Sequence, residues 1–136
     1  MGETEFSGAK LALFLGDSLL VIRRDDRPDI PWPDALDLPG GGREGGESAK
    51  SCALRETREE VGLVVAPEAL SYCRTYMRPH GRVVFFVAHL PAEAEKDVVF
   101  GNEGQGWMLM PPETFADHPE AVPHFRDQMR AYLDQR

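Results

Sequence analysis

Cysteine is nearly absent. The chain carries only Cys52 and Cys73, without the spacing of a metal-binding pair, which argues against a disulfide framework and against a zinc finger. Both read as buried free thiols of a reducing compartment. Basic residues are also in short supply: 15 Lys and Arg face 23 Asp and Glu, for a formal net charge of −8. Such a balance disfavours a broad basic surface for nucleic acid polymers. Long hydrophobic runs are missing, because the apolar stretch from Leu11 to Ile22 is interrupted by Gly16-Asp17-Ser18 and is too short to cross a bilayer. The first residues are polar and acidic, unlike a signal peptide. A cytoplasmic protein with no membrane partner is the expectation.

What is present is ordinary for a globular domain. At 136 residues, 42% hydrophobic and 28% charged, the chain can bury a core without staples and reads as a single domain over residues 1–136. Residues 10 to 15 and 18 to 24 form a hairpin pattern about Gly16-Asp17. A proline-bearing loop, 25 to 36, leads through Asp37-Leu38-Pro39 into a glycine-rich turn at 40 to 46. Ser48 is placed to cap a helix that runs to about Val61, with Gly62 as its stop. Strands follow near 69 to 77 and 82 to 90, then a short one from Trp107 to Met110. A small turn or helix sits near 113 to 116. The spacing of Phe125, Met129, Tyr132 and Leu133 predicts a closing helix over 122–134. Strands interleaved with helices imply an α/β fold, a mixed sheet covered by helices.

The helix after the glycines carries the chemistry. Glu56, Glu59 and Glu60 stand three and four apart, so a helix projects them from one side, where like charges repel. Small residues (Ala49, Cys52 and Ala53) lie on or beside the same arc and leave a recess. Arg55 is four residues from Glu59 and can hold its carboxylate. Acids that repel one another suit a hard divalent cation, and an oxygen-only donor set favours Mg²⁺, or Mn²⁺, over zinc. Such a metal can bridge an acidic protein to a polyphosphate and assist attack of water on a phosphoanhydride. The alternative reading, a solvated acidic helix face, is the usual fate of a charge run. A phosphate-binding P-loop is excluded, since Glu47 occupies the position that such a loop gives to lysine.

Spacing across the whole segment decides between these readings. Gly41, five residues, Glu47, seven residues, then Arg55-Glu56-Thr57-Arg58-Glu59-Glu60-Val61-Gly62-Leu63 closely resembles the signature of the Nudix hydrolases. Leu38-Pro39-Gly40, Glu44 and Gly46 also resemble that family's loop. Thr57 departs from the pattern, standing where an aliphatic residue is expected. The resemblance implies a Nudix fold, an α/β/α sandwich around a mixed sheet, and Mg²⁺-dependent hydrolysis of a nucleoside diphosphate linked to another group. By position it implies Glu56, Glu59 and Glu60 as metal ligands, Glu47 in the metal shell and the carbonyl near Gly41 as a further ligand. Arg55 would orient a catalytic glutamate. The general base is either a glutamate of the signature, such as Glu59, or Glu103 on a later loop.

Specificity must lie outside the signature. Arg23 and Arg24 end the second strand and are candidates for phosphate contact, against a solvated strand end. Trp32 is suited to stacking on a base, against packing at the sheet edge. Arg78 belongs to a basic turn with His80 and Arg82, and Tyr76 and Phe85 are either pocket or core. His118 and His124 read as structural. The expected partner is a small nucleotide: a nucleoside triphosphate first, an ADP-ribose-like or dinucleoside polyphosphate compound second. A catalytically silent nucleotide-binding domain is the third reading. A homodimer is compatible with the resemblance.

Overall fold

The computed structural model describes residues 5–136. Strands β1 (Gly8–Leu15) and β2 (Ser18–Arg23) open the chain, followed by short β3 (Leu36–Asp37) and β4 (Gly40–Gly42). Helix α1 (Ala49–Val61) comes next, then β5 (Leu70–Arg78), β6 (Gly81–Leu90), β7 (Gly106–Met110), α2 (Pro112–Ala116) and α3 (Pro123–Gln135). All seven strands join one sheet with a spine β3-β2-β1-β6-β5, while β4 pairs with β1 and β7 with β2. β1 and β6 run parallel and every other pairing is antiparallel. The sheet is therefore mixed, as the alternation of elements implied.

Central strands are apolar on both faces because both faces are covered. Leu11, Leu13 and Leu15 of β1 meet Cys52, Ala53 and Val61 of α1. Ala12 and Phe14 point the other way, into a cluster with Phe115 of α2 and Phe125, Met129 and Tyr132 of α3. Each fully buried Leu or Phe contributes about 1.5–3 kcal/mol, so β1, shared by both layers, anchors the sandwich. Among the described residues no helix is long and apolar enough to cross a membrane.

Two departures from expectation matter. The segment expected to be only a glycine-rich turn begins as a strand, Gly40–Gly42, paired with Lys10, Ala9 and Gly8. Glycine makes this possible: a Cβ at Gly40 would lie 2.2 Å from the Ala9 carbonyl oxygen, and one at Gly8 2.7 Å from that of Gly41. The β1–β2 pairing is recorded only at Phe14–Leu19 and Leu15–Ser18, so the hairpin splays and admits β4 alongside β1. The second departure is Cys73, which is exposed and not buried. It lies on β5, the sheet's outer strand.

Helix α1 has the expected ends. Ser48 Oγ accepts from the Ser51 N–H at its start, and Gly62 closes it in the left-handed region at φ 74°, donating its N–H to the Arg58 carbonyl. Thr57, the residue out of pattern, is fully buried and donates its hydroxyl to the Ala53 carbonyl at 2.8 Å, so its polar atom is satisfied within the helix. Substituting Gly62→Ala is expected to cost about 1–2 kcal/mol, the penalty for an L-residue in this conformation. The new Cβ would also press on Val99 at 3.0 Å. Urea denaturation measures the change, and a midpoint equal to the parent's would refute it.

Candidate active site

The strand-to-helix turn places Glu60 and Glu56 beneath β4. The Gly40 N–H donates to Glu60 Oε1 at 3.1 Å. A Cβ at Gly41 would fall 2.7–2.9 Å from the carboxyl atoms of Glu56, so any side chain there would displace this carboxylate. Burial pushes the Glu60 carboxyl well above its ordinary range; the Lys10 charge opposes this, and the adjacent Glu56 carboxylate adds to the rise. Lys10 itself lies below the strand, its Nζ donating to Asp37 Oδ1 at 3.0 Å, the Leu38 carbonyl at 3.1 Å and the Gly40 carbonyl at 3.2 Å.

Arg55 ties the remaining acids together. Its Nε and Nη2 donate to the two oxygens of Glu47 at 3.0 and 2.8 Å, and Nη1 donates to Glu56 at 3.1 Å and Glu59 at 3.3 Å. Nη2 also donates to the Gly42 carbonyl at 3.1 Å. The guanidinium, with the Glu44 N–H, holds the Glu47 carboxyl down at about 2. Cys52, pushed up to about 11 chiefly by burial and next by the Glu47 charge, remains a thiol and donates S–H to the Gly41 carbonyl at 3.5 Å. Glu59 stays on the solvent side of Arg55, its side chain 58% exposed. Among the described residues, no three His, Cys, Asp or Glu groups are gathered at metal-binding separation. The helical wheel brought three glutamates to one arc, whereas the arginine holds one of them apart.

A cleft of about 360 Å³ opens over these groups, lined by Gly41, Glu56 and Glu60 on one side and by Glu103, Gly104, Asp25 and Arg27 on the other. Glu103 reaches it because its loop is fastened at both ends. Val99 and Gly101 donate their N–H groups to the carbonyls of Val61 and Glu60 at 2.9 and 2.8 Å, satisfying the free end of α1. Gly104 N–H donates to Asp25 Oδ2 at 3.2 Å, and Gln105 Nε2 donates to the Arg24 carbonyl and Asp34 Oδ1 at 2.8 and 2.7 Å. Gln105 thus clasps the Glu103 loop to the proline loop. No local pattern pointed to it, since its partners lie 71 and 81 residues away.

The specificity candidates divide. Arg24, Trp32 and Arg78 line a second cavity of about 430 Å³, which also touches Gly41 and Gly42 and so adjoins the cleft. Tyr76 and His124 line it too, joined by a hydrogen bond of 3.2 Å, while Phe85 is fully buried core. Arg23 faces neither cavity. Its guanidinium is taken up by the Asp34 carbonyl at 2.7 Å and Glu120 at 2.8 Å, so it braces loops and is not presented to a ligand. Arg24 also braces, donating to Asp37 and the Pro31 carbonyl at 2.9 Å each, yet keeps a surface on both cavities. His118 accepts the Glu120 N–H at 3.0 Å in its own loop. His124, expected to be structural only, is part of a cavity wall.

Solved structures share this fold. A MutT protein from Methanosarcina mazei Go1 superposes with a TM-score of 0.75 at 19% identity, over 99% of this chain and 97% of that one. A C. elegans Ap4A hydrolase binary complex gives 0.73 at 20% identity, over 94% and 96%. A bifunctional NMN adenylyltransferase/ADP ribose pyrophosphatase from Francisella tularensis, complexed with AMP and a Mn ion, gives 0.71 at 17% identity, over 98% of this chain but 42% of that one. At these identities the likeness is one of fold. No curated protein sequence matches significantly. The fold class is thus that of the MutT and Nudix proteins. The NUDIX domain family model matches residues 7–132, and the chain belongs to that family, as a hydrolase of phosphorus-containing acid anhydrides. Nudix hydrolases act on small nucleotide substrates and generally use divalent metals.

Proposed function

We propose that this chain is a Mg²⁺-dependent pyrophosphohydrolase, also served by Mn²⁺, that cleaves a nucleoside triphosphate to monophosphate and pyrophosphate. The observation that supports this reading is the cleft that brings the Glu56–Glu60 pair to Glu103 beside an aromatic cavity. The residues fit a hard divalent cation. A largely buried carboxylate pair crowds against a glycine strand, and its donors are all oxygen. Glu56, Glu59, Glu60, Glu47 and the Gly41 carbonyl would hold the ion, which supplies polarisation of phosphoryl oxygens when bound.

This chain's own groups do the rest. Arg55 gathers Glu47, Glu56 and Glu59 about one guanidinium, and a bound cation would have to draw Glu59 in towards the Glu56–Glu60 pair. A water oxygen attacks phosphorus, the bridging P–O bond breaks towards the pyrophosphate, and a carboxylate takes the water's proton. Glu103, across the cleft, and Glu59, on Arg55, are the two candidates for that base. Arg24, Trp32 and Arg78 bind the nucleoside side of the substrate, and Arg23 acts only through the loops it braces.

The two adjoining cavities also favour a second reading, a longer ADP-ribose-like or dinucleoside polyphosphate substrate. A nucleotide panel with Mg²⁺ or Mn²⁺ and chromatographic product analysis decides. Monophosphate plus pyrophosphate from triphosphates is expected, and absence of any phosphate product from the panel would sink the proposal. Binding without turnover would instead support a silent nucleotide-binding domain. Replacing the true base, Glu103→Gln or Glu59→Gln, is expected to lower kcat by about 10²–10⁴-fold, the usual worth of general base catalysis. Equal, small effects from both variants would remove both candidates.

A further inference from the structure

The cavity beside the cleft has an unusual wall for so acidic a protein. The chain carries a net charge of −8, yet among the described residues no Asp, Glu, Asn or Gln side chain lines this space, while Lys10, Arg24 and Arg78 do. Lys10 and Arg24 share the carboxylate of Asp37, at 3.0 and 2.9 Å, behind the wall. Arg78 has no such partner. Its Nε–H is buried and meets no hydrogen-bond acceptor among the described residues, so nothing there competes with a ligand oxygen for the rest of a guanidinium that lines the cavity.

The aromatic members are arranged for a flat ligand. Trp32 is 44% exposed and is held at φ 51°, in the left-handed region that costs a bulky residue about 1–3 kcal/mol. Its ring lies 6.4 Å from that of His124, which in turn packs on Phe125 at 4.4 Å. Burial, then the charges of Arg78 and Lys10, push His124 down to about 4, so the ring is neutral near pH 7. Burial keeps the Tyr76 phenol protonated. In the tautomer in which that phenol donates to His124 Nδ1, the neutral ring carries its proton on Nε2 and adds a further donor. An exposed indole over a donor-rich wall can stack a base and offer hydrogen bonds to its acceptors, but has no side-chain carboxylate or amide to receive an exocyclic amine.

We propose that Arg78, set in this cavity, selects nucleobases bearing a ring carbonyl (guanine, hypoxanthine, uracil) over those bearing an amino group in the same place (adenine, cytosine). The inference rests on the nucleotide hydrolase reading, because it makes this cavity the base site of that substrate.

Inosine and adenosine monophosphates differ at the deciding position and need no turnover to compare. Calorimetry on the full chain is expected to show IMP binding about tenfold or more tighter than AMP, the worth of one charge-assisted hydrogen bond. UMP over CMP should follow the same order. Arg78→Gln, which supplies a carbonyl as well as an amide donor, is expected to bring the IMP/AMP ratio to within about twofold. Trp32→Ala is expected to weaken both ligands by about tenfold and leave their ratio unchanged, since stacking tolerates any base. AMP binding as tightly as IMP, no binding of either, or a ratio unmoved by Arg78→Gln overturns the proposal. A preserved ratio without hydrolysis of any nucleotide would overturn only the hydrolase reading; hydrolysis without base preference would overturn only this one.

Discussion

Glu60→Gln is expected to remove nearly all hydrolysis and at the same time to stabilise the metal-free protein. The two effects have one origin. Burial and the neighbouring Glu56 carboxylate raise the Glu60 carboxyl above its ordinary value of 4.5, so without a cation the fold disfavours the ionised form and loses stability wherever the unfolded chain would ionise it. The amide keeps the shape and an acceptor for the Gly40 N–H but carries no charge to offer a metal. A loss of about 10³-fold in kcat is the scale for removing a group that stabilises transition-state charge.

The sign of the pH dependence follows from linkage. Because the folded-state value lies above the unfolded one, the folded protein binds more protons than the unfolded chain at pH values above 4.5. Glu60 therefore costs nothing below that pH and erodes stability as pH rises through the window up to its raised folded value. Thermal melts in EDTA are expected to show that fall for the parent and a flatter curve for Glu60→Gln. Adding Mg²⁺ should raise Tm for the parent and not for the variant. Parallel pH curves, or undiminished hydrolysis, would defeat the assignment.

The second large effect is expected from Arg55→Lys. Arg55 spans Glu47, Glu56, Glu59 and the Gly42 carbonyl with its planar fork, and an ammonium cannot reproduce a two-pronged hold on one carboxylate. Hydrolysis is expected to fall by about 10²-fold as the carboxylates lose their fixed placement. The Glu47 carboxyl, held at about 2 by Arg55 and the Glu44 N–H, should move up towards its ordinary range of 4.5. Carboxyl-detected NMR titration follows that group directly. A lysine variant with parental activity and an unmoved Glu47 titration would show that charge alone suffices.

The chemistry of the signature segment was readable because its logic is local. Ser48 and Gly62 announce the ends of α1 through groups only a turn away, and the 3.6-residue period places Glu56, Glu59 and Glu60 on one arc. The wheel also set small residues beside them and implied a recess there, but Cys52 and Ala53 are fully buried against the sheet and do not line the cleft. Where the reading stopped short, contacts between distant segments decide. Spacing joined Arg55 to Glu59, but the shorter contacts run to Glu47, on the loop before the helix. Arg23 and Arg24 looked equivalent at the end of β2, yet Glu120, 97 residues away, claims the first and leaves the second facing both cavities.

The sequence by itself therefore determined the mixed α/β class, the capped helix with its acids and the membership that those acids signal. Helix period and capping are properties of neighbours in the chain, so a single sequence carries them. Only the tertiary structure decided that Gly40–Gly42 is a strand against β1, that Gln105 clasps the Glu103 loop to the proline loop, and that Tyr76, Arg78 and His124 share a wall with Trp32. Those groups come together through sheet pairing and loop packing between remote segments, which no local period encodes.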